Sequence, residues 1–164
     1  MRVSPVGFAM TTLEDVLLEA KRSAEVTHDH PEGIRGAQAT AAAVFLGRQG
    51  ESKERIRGFI EKRFGYDLRR SVDDIRPAYR FNESCQGTVP EAIIAFLDSS
   101  DYEEAIRLAI SLGGDADTLA CIAGGIAEAF YGAVPDHIAG PAMARLDERL
   151  RSTVARFIER HGRC

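Results

Sequence analysis

The sequence is poor in the features that staple small proteins together. Its 164 residues include three cysteines, Cys85, Cys121 and Cys164, an odd number with no CxxC spacing and no histidine placed to complete a zinc set. A disulfide framework and a zinc ribbon are excluded, and reduced cysteines are predicted. An excess of basic charge is also missing: 21 Lys and Arg stand against 25 Asp and Glu, a net charge of -4 with both signs interspersed. A nucleic-acid binder needs a basic stripe to displace counterions from phosphate, so no nucleic-acid partner is expected. No apolar run approaches the ~18 residues of a membrane span. Met1 to Met10 carries one basic residue and no apolar stretch of signal length. These absences predict a cytoplasmic protein with no membrane partner. Val/Ile/Thr alternation bounded by hairpin signals is lacking too, which leaves helices.

What is present suffices for a core. Apolar residues make up 45% of the chain, and surface scaling for this mass predicts about 8,000 Å² folded against roughly 26,000 Å² extended. Residues 1–164 are therefore read as a single domain. Thr11 and Glu14 have capping-box spacing before a helix over about 12–27, lined by Leu13, Val16, Leu17, Ala20 and Ala24. An alanine-rich helix follows Pro31 and ends near Gly47 or Gly50. Ser52 caps a third helix that stops at Gly65, with Ile56, Phe59, Ile60 and Phe64 on one face.

Residues 66–87 are the least periodic, and a long loop with one short turn is predicted there. Thr88 with Glu91, and Ser100-Asp101 with Glu103-Glu104, repeat the capping pattern and predict a hairpin of helices at about 89–98 and 101–111. Thr118 to Tyr131 has scarcely any polar face, the mark of a buried helix, and Gly124 and Gly125 would let neighbours approach closely. A last amphipathic helix, about 141–161, is placed on the surface. The expected fold is all-α: an orthogonal bundle of six to eight helices around the buried 118–131 helix.

Chemistry concentrates before that helix, in Gly113-Gly114-Asp115-Ala116-Asp117-Thr118. Two carboxylates two residues apart beside a hydroxyl offer three hard oxygen ligands, suited to Mg²⁺, Mn²⁺ or Ca²⁺ rather than zinc. The alternative is that one Asp simply caps the helix and favours its positive end. His28 has a similar alternative as a helix C-terminal cap. Cys85, beside Gln86, is either a thiol nucleophile or an inert cysteine, and no paired histidine is evident in sequence.

Residues 113–120, continuing into Ala123-Gly124 and Tyr131-Gly132, resemble the C-terminal signature of the ADP-ribosylglycohydrolases, the DraG-like hydrolases that remove ADP-ribose from modified side chains. Met1-Arg2-Val3-Ser4-Pro5-Val6-Gly7, Thr27-His28-Asp29-His30-Pro31-Glu32-Gly33, Gly36-Ala37-Gln38-Ala39 and Ser84 to Ala92 are similar to segments of bacterial members, in the same order. The resemblance covers nearly the whole chain. It implies an all-α fold and a binuclear Mg²⁺ or Mn²⁺ site, with Asp115, Asp117 and Thr118 as metal ligands and Asp117 bridging the ions. Asp115 and Asp117 would thereby serve the catalysis. His28 would lie near bound ADP-ribose, and the loop Ser84, Cys85, Gln86 and Gly87 would border the substrate.

The family also carries an N-terminal half with a Gly-Asp segment and a Thr-Asp-Asp triple that supply the other metal ligands, and this chain resembles the portion after both. Asp73-Asp74 is its only adjacent Asp pair, and it matches a family position outside the metal site. The domain is accordingly read as N-terminally incomplete, with half of the metal ligands. The implied activity is Mg-dependent hydrolysis of a glycosidic bond to ADP-ribose, on a modified protein or small molecule. The alternative is a non-catalytic remnant that binds metal or ADP-ribose, or a fragment that associates with its own kind or with a separate N-terminal partner.

Overall fold

A computed structural model describes residues 1–162, and among these the chain forms ten helices and no strand. They are α1 (Ser4–Ala9), α2 (Leu13–Glu25), α3 (Pro31–Arg48), α4 (Lys53–Phe64), α5 (Val72–Ile75), α6 (Cys85–Asp98), α7 (Tyr102–Ser111), α8 (Ala116–Tyr131), α9 (Asp136–Ala144) and α10 (Glu148–His161). The all-α expectation holds, with more helices than the six to eight predicted. Cys85 and Cys121 are free thiols, while Cys164 lies outside the described residues. No helix among the described residues is long and apolar enough to cross a membrane.

The core is built where α3, α6, α7 and α8 meet. Phe96, Ile93 and Ile94 of α6 and Leu119, Ile122 and Ile126 of α8 are buried, with Ala39, Ala42 and Ala43 of α3 filling the space between them. Small residues set the spacing. A Cβ on Gly124 would lie 2.8 Å from Ile106 of α7, and one on Gly47 of α3 would lie 3.3 Å from the Phe130 backbone of α8. Gly125 faces Ser4 of α1, so both glycines of α8 serve close approach. The predicted burial of this helix holds along most of its length, but Cys121 and Asp117 are exposed.

Several predicted boundaries shift for identifiable reasons. The cap of α2 is Thr12, whose Oγ1 accepts the Asp15 N–H at 3.1 Å, one residue later than the expected Thr11–Glu14 pair. α6 begins at Cys85, not at about 89: Ser84 is the cap, accepting from Gly87 N at 3.2 Å. Thr88 instead donates to the Asn82 carbonyl, and Glu91 forms a bidentate pair with Arg70 at 2.9 and 3.1 Å. Pro90 therefore sits inside α6, at the cost of one helical hydrogen bond. The predicted loop of 66–87 is shortened accordingly and contains α5, held by a Ser71–Asp74 capping box. Asp73-Asp74 thus has a structural role. The single helix expected at 141–161 is two helices, broken at Arg145–Asp147, with Asp147 capping the second. Neither buries a residue, and His137 of α9 meets Glu103 of α7 at 2.8 Å.

The α6 C-terminus is tied to α4 by one cation. Lys53 Nζ donates to the carbonyls of Leu97, at 3.1 Å, and of Ser99, and it lies 5.1–5.7 Å from the ring centroids of Phe96, Phe130 and Tyr131. The Tyr131 hydroxyl donates to the same Ser99 carbonyl at 2.8 Å. Removing the ammonium strands one carbonyl and deletes the ring contacts, so Lys53→Met is expected to cost about 2 kcal/mol in urea unfolding. Lys62→Met, on the exposed side of α4, should stay within about 0.5 kcal/mol of wild type.

Candidate functional site

One cavity of about 380 Å³ gathers residues from separate stretches between Met1 and Ile122, a size within the usual range for small-molecule sites. Its floor is a small-residue stripe of α3: Gly33, Gly36, Ala37 and Thr40, at helical spacing. Thr40 is only 1% exposed. A Cβ on Gly36 would lie 3.1 Å from both Cys85 Cβ and Val89 Cγ2, so this glycine sets the distance from α3 to α6. The walls are Arg2 and Val3 beside α1, His28 after α2, Glu83, Ser84, Cys85 and Thr88 at the start of α6, and Asp115 and Thr118 at the start of α8. Two helices thus present their N-terminal ends here, where partial positive charge favours an anionic ligand.

The α8 entrance is made by two glycines in the left-handed region, Gly113 at φ +74° and Gly114 at φ +61°. The second is also a crossing point. A Cβ on Gly114 would lie 2.9 Å from Tyr79 Cε1 and 3.2 Å from Phe81 Cα, so the segment leading to Ser84 lies directly on the segment leading to Asp115. The Tyr79 hydroxyl completes that contact by donating to the Gly87 carbonyl at 3.2 Å, and burial raises its pKa. On the α6 side, Asn82 Oδ1 accepts from Ser84 N at 2.8 Å and from Ser84 Oγ at 2.6 Å, which fixes the turn before the helix.

Asp115 occupies the cap position of α8, yet its side chain makes no capping hydrogen bond. The adjoining Asp115 carboxyl, followed by the Thr118 N–H at 2.9 Å, holds the Asp117 carboxyl below the ordinary range. The capping alternative thus fails for the Asp115 carboxylate. Two hard carboxylates and a hydroxyl suit an oxygen-loving divalent ion that keeps several waters. Among the described residues no His, Cys, Asp or Glu joins them to make a set of three.

Of the residues singled out from sequence, His28, Ser84, Cys85, Asp115 and Thr118 line the cavity. Asp117 is exposed beside it, and Gln86 and Gly87 lie outside its wall, Gln86 exposed and Gly87 against Asn82. The His28 amide closes α2 on the Ala24 carbonyl at 2.7 Å, but its ring turns to Thr27, so the side chain caps no carbonyl. Arg2, Thr40, Glu83 and Thr88 were not anticipated. The i, i+3, i+4, i+7 run of small residues from Gly33 to Thr40 was a usable signal for the floor.

The fold and site define an all-α domain with a ligand-sized cavity, floored by small residues and walled by the N-terminal ends of two helices. Comparison with known proteins gives its family. The model of the ADP-ribosylglycohydrolase family matches residues 1–163, and the chain belongs to that family. It is 30% identical to ADP-ribosylhydrolase ARH3 of Bos taurus, over 80% of this chain and 48% of that protein. Against ADP-ribosylarginine hydrolase Tri1 of Pseudomonas putida the identity is 28%, over 80% of this chain and 37% of that one. A solved structure titled "ADP-ribosylglycohydrolase-related protein complex" superposes with a TM-score of 0.70 at 28% identity, covering 95% of this chain and 57% of the other. The chain spans about half the length of the curated ARH3 relatives it matches.

The crossing at Gly114 yields a direct test. Gly114→Ala combines left-handed backbone with overlap against Tyr79 and Phe81, and should destabilise by about 2 kcal/mol. Gly58→Ala, in the interior of α4 with nothing within 4 Å of the new Cβ, should stabilise by about 0.5–1 kcal/mol in the same unfolding assay.

Proposed function

We propose that this chain carries the ADP-ribose-binding cavity and part of the metal site of an ADP-ribosylglycohydrolase that hydrolyses a glycosidic bond to ADP-ribose with Mg²⁺ or Mn²⁺. The observation that carries the reading is the joining of Asp115 and Thr118, His28, and Ser84 and Cys85 in one cavity of a chain that belongs to this family. Asp115, Asp117 and Thr118 would hold the cation, which when bound would supply Lewis acidity for attack at the anomeric carbon. The glycines of the floor let a ribose approach the α3 backbone, Thr40 offers it a hydroxyl, and Thr88, which donates to the Asn82 carbonyl, can accept from a ribose hydroxyl. The amide ends of α6 and α8 favour the diphosphate. Glu83 and Asp115 repel that anion if they remain uncompensated, so the cation also serves to make the cavity electrostatically acceptable to it.

A second reading has its own support: the acidic cluster stops at two carboxylates among the described residues. On that reading the chain binds metal or ADP-ribose without turnover, or works with a separate N-terminal partner or a second copy. Phe81, 63% exposed beside Gly114, supports such an association near the cavity.

The experiment is Mg²⁺-dependent release of ADP-ribose from a modified peptide by the purified chain. The hydrolase reading expects release that Asp117→Asn abolishes. A melting temperature raised by Mn²⁺ or ADP-ribose, with no release, would select the binding reading. Neither release nor a shift, in a chain that melts cooperatively, would contradict both.

A further inference from the structure

The cavity contains one histidine, and its Nδ1 lies against a hydroxyl that an arginine already engages. Arg2 Nη2 donates to Thr27 Oγ1 at 2.5 Å and to the Ser23 carbonyl at 2.9 Å. Thr27 Oγ1 in turn lies 2.7 Å from His28 Nδ1. A guanidinium can only donate, so the Arg2–Thr27 contact fixes the hydroxyl oxygen as acceptor on that side. The hydroxyl keeps its own proton, and the acceptor within its reach is Nδ1. With the proton on Nδ1 instead, the same oxygen would take two donors and its own hydrogen would turn to solvent, since Thr27 is exposed. The arrangement that uses each donor once runs from Arg2 to Thr27 to His28 Nδ1, and the neutral ring then bears its hydrogen on Nε2.

The backbone beneath the ring is equally constrained. His28 N donates to the Ala24 carbonyl at 2.7 Å, and the His28 carbonyl accepts from His30 N at 2.8 Å. Gly33 packs against it so closely that a Cβ there would lie 2.6 Å from the His28 carbonyl oxygen and 3.0 Å from its Cβ. The residue cannot sink toward α3. Arg2 and His28 both line the cavity.

We infer that Arg2 and Thr27 are positioning residues that hold His28 as the Nε2–H tautomer, so that the cavity meets a ligand's oxygen with a hydrogen-bond donor. The tautomer stands on this chain's own contacts, while the identity of the ligand rests on the proposed ADP-ribose site. Arg2 adds a fixed positive charge to the same cavity wall. The pair therefore selects for acceptor oxygens, as on phosphate or ribose, against ligands that present an N–H or O–H at this point.

The test is long-range ¹⁵N–¹H correlation of the histidine rings in the full chain at neutral pH. His28 should show a protonated Nε2 and an acceptor Nδ1. Thr27→Val should mix the two tautomers, and Thr27→Ser should restore the wild-type pattern. His30, whose Nδ1 accepts from Glu32 N at 3.2 Å, is an internal control and should not change. A wild-type His28 protonated at Nδ1, or populations unmoved by Thr27→Val, would overturn the inference. ADP-ribose titration supplies a second readout. Thr27→Val should weaken binding about tenfold, the loss of one well-aligned hydrogen bond, and Thr27→Ser should regain it. A wild-type chain that shows the tautomer but binds no ADP-ribose supports the positioning role and overturns the ADP-ribose reading.

Discussion

Close approach of helix backbones is the constraint from which the architecture follows. Gly36, Gly47, Gly124 and Gly125 stand where a single added methyl would press on the neighbouring helix, and Ala39, Ala42, Ala43, Ala123 and Ala127 are wholly buried between them. Such a seam gains less per residue from the hydrophobic effect than one of leucines would, because each side chain offers little area. It compensates by bringing the larger side chains of α6 and α8 into contact across α3. The same economy of volume makes the cavity. Where the seam of α3 reaches the cavity at Gly33 to Thr40, the space its small residues leave is the floor of the site.

Helix ends then supply the chemistry. α6 and α8 begin at the cavity and α2 ends there, so polar backbone and capping residues converge without burying charge deep in the core. The segments before α6 and α8 cross at Gly114, which couples the Ser84 turn to the Asp115 turn. Metal and ligand would therefore meet a site assembled from four separate parts of the chain.

Much of this was legible in the sequence, and the exceptions have physical causes. α4 announced both its ends, through the Ser52 cap and Gly65 at φ +72°, and the uniform apolarity of α8 marked its burial. α1 escaped because six residues are too few to show a period. The start of α6 was misplaced because Thr88 and Glu91 have capping-box spacing but spend their side chains on Asn82 and Arg70. The break between α9 and α10 turns on an aspartate cap inside an otherwise continuous amphipathic pattern. The Asp115–Thr118 cluster was visible because its members are neighbours in sequence. Arg2, Thr40 and Glu83 were not, since only the tertiary fold brings them together, and the family resemblance that pointed to His28 did not extend to the hydrogen bonds that orient it.

The central claim is that these helix ends form one binding site for ADP-ribose with a divalent cation. Backbone chemical-shift mapping of the full chain with ADP-ribose and Mg²⁺ tests it most directly. The account predicts saturable shifts clustered at Arg2, His28, Ser84, Cys85, Asp115 and Thr118, with the exposed α10 helix unaffected. No shifts, or shifts confined to surfaces away from that cavity, would contradict it.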